Sequence, residues 1–193
     1  MKLIKAIRNK ARAYFLHKKL SSVKRNRKLV SINAATSVGI LFELTDQETY
    51  FSIQKYLQKL QERKVRVKAL GFASNKVVTS QFLPVLTFDF FKDRQVNWIG
   101  FPKAKVAQDF IDTEFDICIN IASENIFPLH YIAGLSKARL KVGPFSQELS
   151  GLGENDLIRI YDILLRTEVS HDQVTFLDTI HEYLTILNPK EDA

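Results

Sequence analysis

Apolar runs alternate along this chain with segments in which apolar residues recur every three or four positions. The run Val38–Leu44 is bounded by polar residues, which is typical of a strand buried on both faces of a parallel sheet. Phe115–Ile121 has the same character. A helix is predicted over residues 45–63, because apolar side chains recur there at the helical period: Tyr50, Ile53, Leu57 and Leu60.

The rest of the chain continues this alternation. Further strands are expected over residues 65–72, 85–91, 96–101 and 139–142. Further helices are expected over residues 103–113, 127–138, 154–166 and 171–187. Strands that alternate with helices imply right-handed crossovers. The predicted fold class is therefore α/β, a three-layer Rossmann-like domain with a mostly parallel sheet, a basic N-terminal helical arm and C-terminal helices.

Polar and small residues mark the expected ends of these elements. Thr45 and Glu48 have the spacing of a capping box at the start of the first domain helix, and Ser170 and Gln173 repeat this spacing before the last helix. The Gly143–Pro144 pair is expected to stop the last strand.

Charge divides the chain into two parts. Residues 1–28 contain eleven Lys and Arg residues and no acid, whereas residues 29–193 contain 17 Lys and Arg against 21 Asp and Glu. The net charge of +7 therefore combines an arm of +11 with a domain of −4. This division predicts a basic arm over 1–28 and a single α/β domain over 29–193, and it indicates an acidic partner.

The arm has the pattern of a basic amphipathic helix. Its apolar side chains recur at helical steps: Leu3, Ile4, Ile7, Ala11, Tyr14 and Phe15. Its candidate anion-binding cations are Lys2, Lys5, Arg8, Lys10, Arg12, Lys18, Lys19, Lys24, Arg25, Arg27 and Lys28. Three interpretations are open: binding to an anionic membrane surface, binding to RNA or DNA, and docking on the chain's own domain with a solvated charged face.

Composition excludes several classes of protein. Cys118 is the only cysteine, so an internal disulfide is excluded, and its apolar neighbours are typical of a core position. The chain lacks a run of the ~18 apolar residues that a membrane span needs. It also lacks an apolar signal-peptide segment. We expect a cytoplasmic protein, peripheral at the inner membrane surface if the arm binds lipid, and no cofactor.

Ligands of open α/β sheets bind beyond the C-terminal ends of the strands. The polar residues expected at those ends form the candidate pocket: Thr45, Asp46, Ser74, Asn75, Asn120 and Ser123. The same residue types also cap helices, which is the competing interpretation for Thr45 and Ser123.

Motifs for catalysis are not found. The turn after Val38–Leu44 has no glycine, which excludes a GxGxxG or GxxxxGK[ST] loop there, and no GxSxG elbow occurs. The histidines do not have metal-ligand spacing: His17, His130, His171 and His181. These observations favour a protein that is not an enzyme and holds no metal.

Three stretches carry a family resemblance: Phe115–Ile121, Phe127–Ala133 and Ser136–Gly143. They resemble an uncharacterised bacterial family of small α/β proteins with basic N-termini, a domain of unknown function. The resemblance covers most of the chain and implies no particular activity.

The same stretches are similar to the N-terminal half of heptosyltransferase-type glycosyltransferases, which implies a Rossmann-like fold. In that family a Gly-Asp pair after the first strand supplies the catalytic carboxylate, where this chain has Thr45 and Asp46. The nucleotide-sugar donor of that family binds in a second domain, which would begin where this sequence ends. The resemblance therefore implies the fold and argues against transferase activity.

The function expected from the sequence is a non-catalytic binding or adaptor protein whose basic arm docks on an anionic surface, either RNA or membrane. The alternative is an enzyme of glycosyltransferase-like ancestry that acts on a small or nucleotide-like ligand near Asp46 and Asn120. A third hypothesis is a subunit whose site is completed only in an oligomer.

Overall fold

The computed structural model describes residues 2–74, 87–122, 126–145, 152–166 and 172–187. The helices are α1 (Lys2–Leu20), α2 (Gln47–Glu62), α3 (Lys105–Asp112), α4 (Phe127–Leu135), α5 (Glu154–Ile160) and α6 (Gln173–Ile186). The strands are β1 (Ser37–Leu44), β2 (Arg66–Ala73), β3 (Phe88–Lys92), β4 (Ile117–Asn120), β5 (Leu140–Phe145) and β6 (Ile163–Arg166).

The six strands form one sheet in the order β3-β2-β1-β4-β5-β6, and every neighbouring pair is parallel. The α/β prediction is therefore confirmed, and the sheet is wholly rather than mostly parallel. The direction of strand order reverses between β1 and β4. In open parallel sheets such a reversal opens a crevice beyond the carboxyl ends of the strands, where ligands commonly bind.

Helices cover both faces of the sheet, which explains why its central strands β1 and β4 are largely apolar. Ile40 and Phe42 of β1 pack in the core shared with α2 and α6. Leu41 lies in the opposite core, which contains α3, α4 and α5. Since successive side chains of a strand point to opposite faces, a strand covered on both sides needs apolar residues at every position.

The stretch over residues 96–101 is a turn, which corrects the expected strand. The Asn97 side-chain oxygen accepts hydrogen bonds from the backbone N–H groups of Ile99, Gly100 and Phe101 at 3.0, 3.0 and 2.9 Å. A single antiparallel bridge joins Val96 to Pro102. The amide of asparagine therefore replaces the hydrogen-bond partner that a neighbouring strand would supply.

The expected helix over 154–166 is also corrected, because it ends at Ile160 and the chain continues as β6. Tyr161 and Asp162 interrupt the helix with contacts to distant residues. The Asn120 side chain donates to the Tyr161 hydroxyl at 2.7 Å, and Asp162 forms a two-fold ion pair with Arg25. Apolar residues continue at helical spacing after Ile160, so the sequence pattern does not show that the helix ends there.

β5 continues through Gly143–Pro144, although this pair was expected to stop it. Its pairing with β4 ends at Val142, whereas its pairing with β6 continues from Val142 to Phe145. Pro144 therefore lies where one side of β5 has no partner strand, and the missing N–H of proline is tolerated there.

The N-terminal caps lie inside the two predicted capping boxes. Asp46, and not Thr45, caps α2, because its side chain accepts the Thr49 N–H at 2.8 Å. Asp172 caps α6 by accepting from Val174 and Thr175, and Ser170 lies outside the described residues. In each case the carboxylate provides the stronger acceptor for the free N–H groups.

Candidate functional site

The helix α1 of the basic arm lies against α4 and α5. Leu16 is fully buried at this contact. Gly134 of α4 permits the close approach, since a Cβ at this position would come within 2.9 Å of the Leu20 side chain. The docked side of α1 is therefore narrow and contains few apolar residues.

Polar contacts supplement this small apolar contact. The Arg12 guanidinium donates from Nε to the Ile99 carbonyl and lies 4.6 Å from the centre of the Phe127 ring. His17 pairs through Nε2 with Asp156 of α5. Burial, and then the charge of Arg8, lower the pKa of Arg12 to about 10. Arg12 and His17 thus attach α1 to two different neighbours.

The other side of α1 faces solvent and carries four large apolar side chains beside the exposed Lys10 and Lys18. Ile4, Ile7, Tyr14 and Phe15 are 70%, 54%, 64% and 41% exposed. Ile7 follows Ile4 by three residues, and Tyr14 and Phe15 follow Ile7 by seven and eight, so the four side chains form one stripe along the helix, which we call the outward stripe. Leu16, on the docked side, is 0% exposed. α1 thus displays the apolar face that an amphipathic helix usually buries in its own domain.

The segment after α1 runs along the amino-terminal edge of the sheet. The Lys28 N–H donates to the Arg139 carbonyl at 3.2 Å. Arg25 donates from Nη1 and Nη2 to the two Asp162 carboxylate oxygens, both at 2.7 Å, and only 6% of its side chain is exposed. Arg25 is therefore an internal ion-pair partner, whereas Lys24, Arg27 and Lys28 are exposed.

A basic cavity of about 310 Å³ lies at this amino-terminal edge. Its cationic lining residues are Lys24, Arg25, Arg66, Lys137 and Arg139, and its acidic ones are Glu114 and Asp116. Asp116 pairs with Arg139 at 3.2 Å. The cations outnumber the acids, so this edge extends the positive charge of the arm onto the domain.

A second cavity, of about 340 Å³, lies near the carboxyl end of β2 and the amino end of α4. Arg8 and Arg12 of α1 line it together with Asn97, Trp98 and Phe127. No local sequence pattern indicates this cavity. Arg8 and Arg12 were singled out only as members of a cationic run, and Asn97 and Trp98 fall within the wrongly predicted strand.

The comparison with protein families matches residues 8–187 to a family model, the family of unknown function DUF6913. The chain belongs to this family. The family match begins within α1, so it includes most of the basic arm together with the α/β domain. No curated protein matches the chain.

The predicted pocket residues within the described ranges, Thr45, Asp46, Ser74 and Asn120, do not line either of these cavities. Thr45 and Asp46 are exposed at the start of α2, where the Thr45 hydroxyl donates to Asp46 at 2.8 Å. Hydrogen bonds from the Thr49 backbone, and then from the Thr45 side chain, hold the pKa of Asp46 below its usual value. Ser74 is half-buried at the end of β2.

Some predicted residues lie outside the described residues. These are Asn75, Ser123 and the side chains of Lys2 and Lys5.

Asn120 is fully buried in a polar cluster between the sheet and α4. Its amide donates to the Tyr161 hydroxyl at 2.7 Å, and this hydroxyl lies 2.7 Å from Nδ1 of His130. Burial raises the pKa of Tyr161, which keeps the phenol protonated. The Tyr161 hydroxyl therefore joins His130 to Asn120, from which it accepts, and this arrangement supports the core.

Lys141 is a second buried polar residue that the sequence did not single out. Its Nζ donates to the Gly134 carbonyl at 2.6 Å, and the residue is 2% exposed. Burial is the main cause that lowers the pKa of Lys141 to about 7. Its enclosure among core residues indicates a structural role.

Among the described residues, no group of three His, Cys, Asp or Glu side chains is arranged to hold a metal ion. Of the helices within the described ranges, none is long and apolar enough to cross a membrane.

Proposed function

We propose that the protein is a peripheral membrane adaptor, in which α1 lies in the plane of an anionic lipid surface and holds the α/β domain there. The outward stripe of Ile4, Ile7, Tyr14 and Phe15 carries this proposal, because these side chains remain exposed while α1 is attached to the domain. Phe15 is the least exposed of the four, since its ring also contacts Phe101. A helix with apolar residues on one face and cations beside them is the element that lies in a membrane interface.

Charge complementarity selects an anionic membrane. Exposed cations lie on α1 and directly after it: Lys10, Lys18, Lys19, Lys24, Arg27 and Lys28. The first acidic residue of the sequence is Glu43, so no carboxylate within the arm opposes them. Each Lys or Arg near an anionic surface contributes about 1 kcal/mol of attraction. We therefore assign the protein to the cytoplasmic face of a membrane, where anionic lipids give a negative surface potential.

RNA is the competing partner for the same cations. Phosphate contacts would account for the positive charge, but they give no role to Ile4 and Ile7, which are exposed aliphatic side chains. Trp98 also favours the membrane. It is 66% exposed, and its turn is attached to α1 through the bond from Arg12 to Ile99. Tryptophan is enriched at the level of lipid headgroups.

The test is co-sedimentation of the full chain with vesicles of phosphatidylcholine alone and of phosphatidylcholine mixed with phosphatidylglycerol, across a salt series. We expect binding to the mixed vesicles at least about tenfold tighter at low salt, because several lysines and arginines act together. Added salt should weaken this binding without abolishing it, because the apolar contact of the outward stripe is not screened. Retention of total RNA without binding to either vesicle would contradict the proposal.

A further inference from the structure

The cavity beside Arg8 and Arg12 is distinct from the outward stripe, because Ile4, Ile7, Tyr14 and Phe15 do not line it. Its walls are the inner side of α1, the turn over residues 97–100 and the amino end of α4. It has a volume of about 340 Å³, enough for a small polar group. It also lies at the carboxyl edge of the sheet, where Phe72 of β2 contributes to the wall.

Two guanidinium groups meet at this cavity. Arg8 and Arg12 are one helical turn apart, so their side chains lie on the same side of α1. Within the described part of the chain, neither forms an ion pair with a carboxylate. The Nε atom of Arg8 is buried and has no hydrogen-bond partner there. Two nearby cations with unused donors favour an anion between them.

The opposite wall adds to the positive potential. Ile126, Phe127 and Pro128 line the cavity at the start of α4, a nine-residue helix whose N-cap Ile126 provides no side-chain cap. The amino end of a helix carries partial positive charge. Here that charge comes from the helix dipole, since Pro128 has no N–H and the Leu129 N–H donates to the Ile126 carbonyl at 2.9 Å. One carboxylate, that of Asp93, also lines the cavity, so the arginines exceed the acids by one charge.

The third wall is held rigidly. Gly100 has a φ angle of +109°, and a Cβ at this position would lie 2.7 Å from the Phe127 ring and 3.0 Å from Arg12. The turn therefore approaches both residues more closely than any other residue type permits. This fixes Trp98 at the rim of the cavity.

We propose that this cavity binds a phosphoryl group, held by Arg8 and Arg12 against the amino end of α4. Guanidinium groups bind phosphate oxygens through paired charge-assisted hydrogen bonds. The phosphoryl group has two chemical sources, a phosphomonoester lipid headgroup or a soluble phosphate compound. This inference does not depend on membrane binding by the outward stripe, since a soluble ligand would occupy the cavity equally.

The test is calorimetric titration of the full chain in the absence of vesicles, so that failure of membrane binding cannot affect it. The probes are inorganic phosphate, a short-chain water-soluble phosphatidic acid, and the phosphatidylcholine of the same chain length, all at constant ionic strength. Saturable binding of phosphate and phosphatidic acid, but not of phosphatidylcholine, is expected. If phosphatidic acid binds more tightly than inorganic phosphate, the source of the phosphoryl group is a lipid headgroup. If the two probes bind with equal affinity, the source is a soluble phosphate compound.

The decisive variant is Arg8→Gln, with Lys10→Gln as its control. Lys10 is an exposed cation of α1 that does not line the cavity. Arg8→Gln should weaken phosphate binding at least about tenfold, because it removes a charged donor, whereas Lys10→Gln should not change it. Thermal melting without phosphate checks the fold of both variants, and phosphate should raise the Tm of the wild type and of Lys10→Gln only. Absence of binding heat and of a Tm shift in the wild type, or equal affinity of Arg8→Gln and wild type, would overturn the proposal.

Discussion

The double variant Ile4→Asp/Ile7→Asp is expected to bind anionic vesicles at least about 100-fold more weakly than the wild type, because two effects add. Full burial of an isoleucine side chain contributes about 1.5–3 kcal/mol. A side chain that is only partly inserted into the lipid interface retains much of this contribution. Each new aspartate also adds about 1 kcal/mol of repulsion from the anionic surface. Aspartate near the amino end of a helix is electrostatically favourable, so α1 should remain helical.

The matched control is Phe51→Asp/Ile186→Asp. Phe51 and Ile186 are equally exposed apolar residues, but they lie on α2 and α6, across the sheet from α1. Vesicle co-sedimentation of this control should equal that of the wild type. An equal loss of binding in both double variants would show that general surface hydrophobicity, and not α1, causes the association.

Replacement of Asp116 by alanine should lower the free energy of unfolding by about 1–3 kcal/mol, since it leaves the N–H groups of Thr36 and Ser37 and the half-exposed Arg139 without their partner. Oδ2 of Asp116 accepts from the Thr36 N–H at 2.8 Å, from the Thr36 hydroxyl at 2.7 Å and from the Ser37 N–H at 3.1 Å. Oδ1 pairs with Arg139 at 3.2 Å. These contacts join the starts of β1, β4 and β5.

Urea denaturation measures this loss, with Asp112→Ala as the control. Asp112 forms an exposed ion pair with Lys137, so its removal should have a small effect. An Asp116→Ala variant as stable as the control would contradict the account of this cluster.

The same cluster predicts a pH dependence. Burial tends to raise the pKa of Asp116, but the hydrogen bonds from Thr36 and the charge of Arg139 outweigh it and lower the pKa. A carboxyl group whose pKa is lower in the folded state contributes stability at pH values above its unfolded pKa of about 3.9. This contribution is lost as the pH falls through the folded pKa. The stability of Asp116→Ala should therefore fall less steeply in acid than that of the wild type.

The sheet could be predicted because its signal is local. β1 and β4 are apolar at most positions, and apolar residues of the helix α2 between β1 and β2 recur at the helical period. β6 could not be predicted in the same way. The helix α5 ends before β6 because Tyr161 pairs with Asn120 and Asp162 pairs with Arg25. Both partners are far away in the sequence, so no local pattern marks this end.

The helical arm was also predictable, but the side on which it docks was not. The periodicity of Ile4, Ile7, Tyr14 and Phe15 identifies the helix, yet the docked side contains Leu16 and Arg12. Arg12 finds a carbonyl and an aromatic ring on a turn and a helix about one hundred residues away, and no local pattern indicates such partners. The proposed phosphoryl site could not be predicted for the same reason, since only folding brings the turn at Trp98 beside Arg8.

The most direct measurement is the fluorescence of a tryptophan placed on the outward stripe. Tyr14→Trp in a Trp98→Phe background leaves position 14 as the single tryptophan of the chain. With anionic vesicles we expect a blue-shifted emission and quenching by brominated lipid chains, whereas Phe51→Trp in the same background should show neither. If the protein sediments with the vesicles while the emission at position 14 stays that of an exposed tryptophan and is not quenched, α1 does not enter the interface, and membrane attachment through the outward stripe is contradicted.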